Sequence, residues 1–478
     1  MIQGNKENNR KKTPARTLCG NRLGLLPVFL VLLFAQPLWA NDNARDQERH
    51  RRDILQFGTE TEIANLIQTL RSENDFSLNA ELIEIAENTR NRNILVGVLH
   101  FFGEEEKSGL EGRAIRTIVE RDYETNEAIL ASVDYLGWVN AWQGIDALKE
   151  LITSRESRFL NNAIRALGRA ARGQDESGLA DETVFFLLDY FNNRSPSNEN
   201  QREIVVAIGE TRSSQGVPFL VDMVRNEEER FVLRMAAIES LSAIVDPQGM
   251  DAVVEAVSTS DPSVRSTALG ALGPFSGEAV ERAVLDGFRD SYWRSRQGAA
   301  RAAGQRRQES AVPFLRFRAE NDDVPAVRDE AIRALGAINT IEAMGFLESL
   351  FTERRNSDRV RLLAADMLIR NDADTYALRV VAEMDDAHTR RQTNLYNGFI
   401  RVLTTAKSNS LEGLARRFIT AGGVIERSLA LELIVNNEFV HLADEVRVLL
   451  DERTSGASLA RRARLTLERL GLEVEVDA

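Results

Sequence analysis

The chemistry open to this 478-residue chain rests on few side chains: four histidines, one cysteine, abundant carboxylates and a recurring arginine. His50, His100, His388 and His441 are scattered, and none is followed by glutamate. The zinc helix H-E-x-x-H, which needs two imidazoles on one helical face, is therefore absent. Cys19 is the lone cysteine, so no disulfide can form within the chain. A serine elbow of the form G-x-S-x-G and a glycine-rich phosphate loop before Lys-Ser or Lys-Thr are both missing. The acidic runs Glu104-Glu105-Glu106 and Glu227-Glu228-Glu229 lack the D-x-D-x-D-G spacing of a calcium loop, and they suit turns ahead of helix N-termini. No carboxylate pair stands out, and the expectation is a protein with no catalytic residues, cofactor or metal.

Arginine is the most regular polar feature. Arg234, Arg265, Arg296, Arg328 and Arg361 recur at spacings of 31, 31, 32 and 33, and Arg427 follows 66 residues later. Such a series either offers a basic stripe to an acidic partner or forms a structural ladder. In a ladder each planar fork bonds carboxylates or turn carbonyls beside the next repeat, for instance near Asp261, Asp323 or Asp358. The ladder is the favoured reading. Arg165, Arg169, Arg301 and Arg333 are less constrained, and some should face a groove. Tyr135, Trp138 and Trp142, with Tyr292 and Trp293, suit interface anchors as well as they suit burial between repeats.

The elements that must position these residues are legible from a period of 31–33. Val264-Arg265-Ser266-Thr267-Ala268-Leu269-Gly270-Ala271-Leu272-Gly273 matches Val327-Arg328-Asp329-Glu330-Ala331-Ile332-Arg333-Ala334-Leu335-Gly336. Apolar or small residues at i, i+4, i+7 and i+8 describe one face of a helix. The equivalent alanines are Ala237, Ala268, Ala299, Ala331 and Ala364, with weaker copies at Ala163, Ile204, Leu395, Ala430 and Ala463. A second helix precedes each copy. Val217-Pro218-Phe219-Leu220 returns as Val312-Pro313-Phe314-Leu315, with proline where a helix's first turn tolerates it. The unit is helix A, turn, helix B, turn, and the fold class is all-α.

The V-R-x-x-A-x-x-A-L-G signature, with its paired helix, resembles HEAT repeats, and more narrowly the short bacterial type called PBS-lyase-like. The resemblance is clear from Ile145 to Leu470 and weak from Thr59 to Asn140. It implies a right-handed α-solenoid whose B helices line a concave face. HEAT-like metal hydroxylases use His-Glu dipeptides as iron ligands, and this sequence has none. Bilin lyases share the repeat type, so ligand-modifying activity is one alternative reading; a polyanion or glycan binder using groove arginines is another.

Residues 1–40 read as a secretory signal peptide: six basic residues before residue 23, an apolar run from Leu23 to Ala40, and a small residue at its end. Residues 41–58 read as a flexible tether, 59–140 as divergent repeats with a cap, 141–471 as the array, and 472–478 as a tail. The net charge is −13, and loss of residues 1–40, with six basic residues and one acidic, makes it five units more negative. That charge disfavours nucleic acid. The expected protein is an exported, non-enzymatic scaffold whose partner is another protein.

Overall fold

In the computed structural model, residues 38–154, 156–173 and 178–472 are described, and among them helices alternate with short turns and no strand occurs. The segment 1–37, which holds most of the stretch read as a signal peptide, and the tail 473–478 lie outside the described residues, as does 174–177. The chain divides into two units, residues 1–48 and 49–478.

Within the second unit, A and B helices pair and each pair stacks on the next. Helix Val312–Asn321, with Pro313 in its first turn, packs against helix Pro325–Ile338. Asp246 and Asp261 act as N-caps ahead of Pro247 and Pro262; the Asp261 carboxylate accepts the Ser263 and Val264 amides at 2.7 and 3.0 Å. A first-turn proline loses nothing, because its missing N–H would have no helical partner. Ala237, Ala268, Ala299, Ala331 and Ala364 are all fully buried on the inner side of the B helices. B helices contact their successors more extensively than A helices do, so the stack closes up on the B side.

The tight seam between B helices is built on glycine. Gly137, Gly168, Gly209, Gly273, Gly304 and Gly336 each follow the inner-face position by five residues. A methyl at Gly168 would lie 2.5 Å from the Ala207 carbonyl oxygen and 2.8 Å from its Cα; one at Gly304 would lie 2.9 Å from the Ala334 Cα. Backbones can approach this closely only where no Cβ intervenes. Ser242 takes the glycine's place in one repeat and donates its hydroxyl to the Ala271 carbonyl at 2.8 Å. Beyond Gly336 the position is filled by Ile369, Ile400 and Val435. Asparagines then bridge the helices: Asn371 donates to the Gly336 carbonyl (3.0 Å), Asn436 to Thr404 (2.8 Å) and Asn437 to Ala406 (3.2 Å).

Two features depart from the sequence reading. The stretch expected to be a flexible tether is helical, Leu38–Phe57, with Leu55 buried and Arg51 bonded to both Glu73 and Asp75 at 2.5 Å. Its polar composition hid an ion-paired face on a segment rich in helix formers. No break marks residue 140: helix Asn126–Trp138 stacks on helix Leu160–Ala170 through Gly137 as later pairs do. The 41 residues from Ala163 to Ile204 exceed the period of 31–33 and include a longer A helix, Leu179–Asn193, of 15 residues.

Candidate partner-binding surface

Two of the recurrent arginines, Arg265 and Arg296, join successive turns. Arg265 donates to the Thr259 and Ser260 carbonyls of its own A–B turn (3.1 and 2.8 Å), and its other edge grips Asp290 of the next turn at 2.9 Å. Arg296 repeats this one step on, donating to the Asp290 and Ser291 carbonyls and gripping Asp322 at 2.7 and 2.8 Å. It also reaches Asp323 at 2.8 Å, and Arg328 closes the Asp322 carbonyl at 2.5 Å. Arg234 and Arg361 instead donate to the end of their own A helix, at the Val224 and Phe351 carbonyls; Arg361 also pairs with Glu383 at 2.6 Å. Arg427 stands apart, since its Nε is buried and has no hydrogen-bond partner among the described residues. Asp323, one repeat on from Arg296, receives it, whereas Asp261 caps its own helix.

Charge at these turns is fixed by opposing effects. Burial pushes the Asp290 carboxyl up, but the Arg265 fork and the Tyr292 amide outweigh it and hold the group below the ordinary aspartate range. Asp322 behaves the same way under burial, the Arg296 fork and the Val324 amide.

The inner face carries a different set of residues. Arg165 pairs with Glu203 at 3.0 Å, and Glu330 receives Arg301 at 3.6 Å and Arg333 at 3.4 Å. Arg169 is half-buried and, among the described residues, meets no carboxylate. Three consecutive B helices, Phe231–Ile244, Pro262–Ala271 and Trp293–Gln305, enclose a cleft of about 420 Å³. Gly270 and Gly298 lie among its lining, with Glu239 contributed by the first helix and Arg294, Gln297 and Arg301 by the third. Arg294 is held in place: its guanidinium lies 4.3 Å from the Trp293 ring centre and donates to the Tyr292 hydroxyl at 2.7 Å.

Of the residues named from sequence, the structure thus places Arg301 in the cleft lining and sets Tyr292 and Trp293 against Arg294 at its edge, while the other aromatic candidates scatter. Tyr135 is fully buried, its hydroxyl accepting the Leu110 amide (3.1 Å) and donating to the Lys107 carbonyl (3.0 Å); burial pushes its phenol up. Trp138 is half-buried, edge-on to His100 and packed over Gly103. Trp142 is exposed in the turn Trp142–Gly144. Arg294 and Glu239 were not singled out from sequence; Arg294's adjacency to Trp293 is the signal that points to it.

A second cleft, about 700 Å³, joins His388, Gln392, Tyr396 and Glu426. There the Tyr396 hydroxyl donates to Glu426 at 2.9 Å, with His388 against the ring at 4.8 Å. Among the described residues no three His, Cys, Asp or Glu side chains converge as a metal site.

No curated protein matches the sequence. Among solved structures the chain is similar to Kap121p at 11% identity, covering 90% of this chain and 54% of that one, with a TM-score of 0.42. The chain therefore spans about half the length of Kap121p. It is similar to human deoxyhypusine hydroxylase in complex with glycerol (17% identity, 56% of this chain and 96% of that one, TM-score 0.24). It also resembles the complex of CpcE and CpcF of phycocyanin lyase from a Nostoc species (20% identity, 48% and 88%, TM-score 0.32). The family model described as Spirochaete HEAT repeat protein matches residues 55–466, which spans the helix pairs, the glycine seam and the arginine-linked turns. The chain belongs to that HEAT-repeat family.

Proposed function

We propose that this protein is an exported, non-enzymatic scaffold that holds another protein on the inner face of its B helices. The observation that carries the reading is Arg294, a cation fixed by Trp293 and Tyr292 at the edge of an open cleft. Among the described residues no carboxylate pairs with it, although the chain as a whole carries a charge of −13. An arginine stacked on an aromatic, with its rotamer freedom already spent, is the kind of anchor that dominates protein interfaces. Export rests on the basic, apolar and small-residue order of residues 1–40. No helix among the described residues is long and apolar enough to cross a membrane.

Two measurements test this. Crosslinking of the full-length protein in its native cells should recover one defined partner, lost with Arg294→Glu and kept with Arg282→Glu on an A helix. N-terminal sequencing of the native protein should find a chain beginning near Asn41. Retention of the partner by Arg294→Glu argues against the inner face, and an intact N-terminus argues against cleavage.

A further inference from the structure

Glu239, Gly270 and Arg301 hold the same register position in three consecutive B helices, 31 residues apart in each step. All three line the one cleft. Read across the groove, that position is acidic, bare, then basic. Glu239 is exposed and has no ion pair among the described residues. Arg301 approaches Glu330 through Nε at 3.6 Å, longer than a hydrogen bond, and its terminal nitrogens make no hydrogen bond among the described residues. Gly270 differs from the seam glycines, because a Cβ there would meet nothing within 4 Å. Its missing side chain is therefore no requirement of helix packing; it opens the floor of the cleft.

We infer that this cleft receives an extended segment of a protein partner bearing one carboxylate and one basic side chain. The carboxylate sits between Arg301 and Arg294, and the base lies over Glu239. The inference rests on the scaffold reading and adds the chemistry of what is held. B helices stack at about 8–10 Å, so two steps separate the charged walls by about 16–20 Å. Extended chain advances about 3.3 Å per residue, which sets the two ligand charges about five or six residues apart. A run of acids alone is disfavoured by Glu239, and a run of bases by the two arginines. The polar side chains Gln297 and Ser266 line the space between and can bond the ligand backbone.

The probes are fluorescein-labelled peptides of about twelve residues, binding to the full-length protein followed by anisotropy. One set carries Asp and Arg six positions apart in either order; a control set of the same composition carries them adjacent. One spaced order should bind at least tenfold more tightly than the adjacent control. Gly270→Leu should weaken that binding tenfold or more with no fall in melting temperature, and Arg301→Gln should do so independently. The double exchange Glu239→Arg with Arg301→Glu should prefer the opposite order of the peptide. Equal binding of spaced and adjacent peptides, or indifference to both Gly270→Leu and Arg301→Gln, overturns the inference. Partner capture that survives Gly270→Leu but not Arg294→Glu also overturns it and leaves the scaffold reading standing. Peptide binding as described with no protein partner recovered has the reverse meaning.

Discussion

Arg296 grips Asp322 through two N–H···O bonds of 2.7 and 2.8 Å, with both residues buried and 26 positions apart in the chain. The same arginine closes the turn before its own helix, and Asp322 opens the next. One side chain thus ties two repeats, so a fault there is felt in both. Removing one partner of a buried, bonded pair typically costs about 3–5 kcal/mol, because the other charge is stranded. Arg296→Ala should lose that much in urea unfolding. Hydrogen exchange should show loss of protection concentrated between residues 278 and 338. Arg296→Lys keeps the charge but loses the fork, and it should fall between the two.

Acid should find these turns first. Asp290 and Asp322 are held below the ordinary aspartate range in the folded chain. Their contribution is present in full above the unfolded value, about 3.9, and is lost as pH falls through the depressed folded values. Helicity followed by circular dichroism should fall below about pH 4. In the double variant Asp290→Asn, Asp322→Asn the curve should start lower at neutral pH and be flatter in acid. An unchanged acid slope contradicts the assignment.

Glycine should be dispensable at one position and not at its neighbours. At Gly168 an added methyl meets the Ala207 carbonyl oxygen at 2.5 Å; at Gly209 it meets the Ser240 Cα at 2.6 Å; at Gly270 it meets nothing. Alanine gains about 1 kcal/mol of helix propensity over glycine, while overpacking costs about 1–3 kcal/mol. Gly168→Ala and Gly209→Ala should therefore lower the melting temperature, and Gly270→Ala should raise it. A like response at all three positions rules out a tight seam.

Contacts run chiefly between neighbouring repeats. Deleting residues 411–471 should leave the upstream helices folded, with helicity per residue nearly unchanged and a modest fall in stability as helix Thr393–Thr404 becomes terminal. Collapse of helicity to the level of an unfolded chain contradicts a linear stack.

Much of the architecture was legible because inner-face alanines must recur at each close approach, and Ala237 through Ala364 do so with hardly a slip in spacing. Local pattern says less about what a long side chain reaches. Arg265 shows its period, but its partner Asp290 stands 25 residues away in a turn whose acidic residue looks ordinary. The helix Leu38–Phe57 was hidden because its support comes from Glu73, Asp75 and Glu81, on segments read separately. Of the cleft, Arg301 could be named from sequence, as could Tyr292 and Trp293, which hold Arg294 at its edge. Gly270 could not, since it looks like any other motif glycine until its surroundings show that nothing presses on it.

The change of seam at Gly336 has a mechanical meaning. Upstream, at Gly137, Gly168, Gly209 and Gly304, backbone lies on backbone, and sliding one helix past the next meets steep repulsion at once. Downstream of Ile369, branched side chains keep the helices apart and amide bridges from Asn371, Asn436 and Asn437 span the gap. Those bridges bend before they break. Within residues 49–478 the stack therefore has two stiffnesses in series, and a load across it strains the segment beyond Gly336 first, while the stretch that carries the Arg294 cleft keeps its packing.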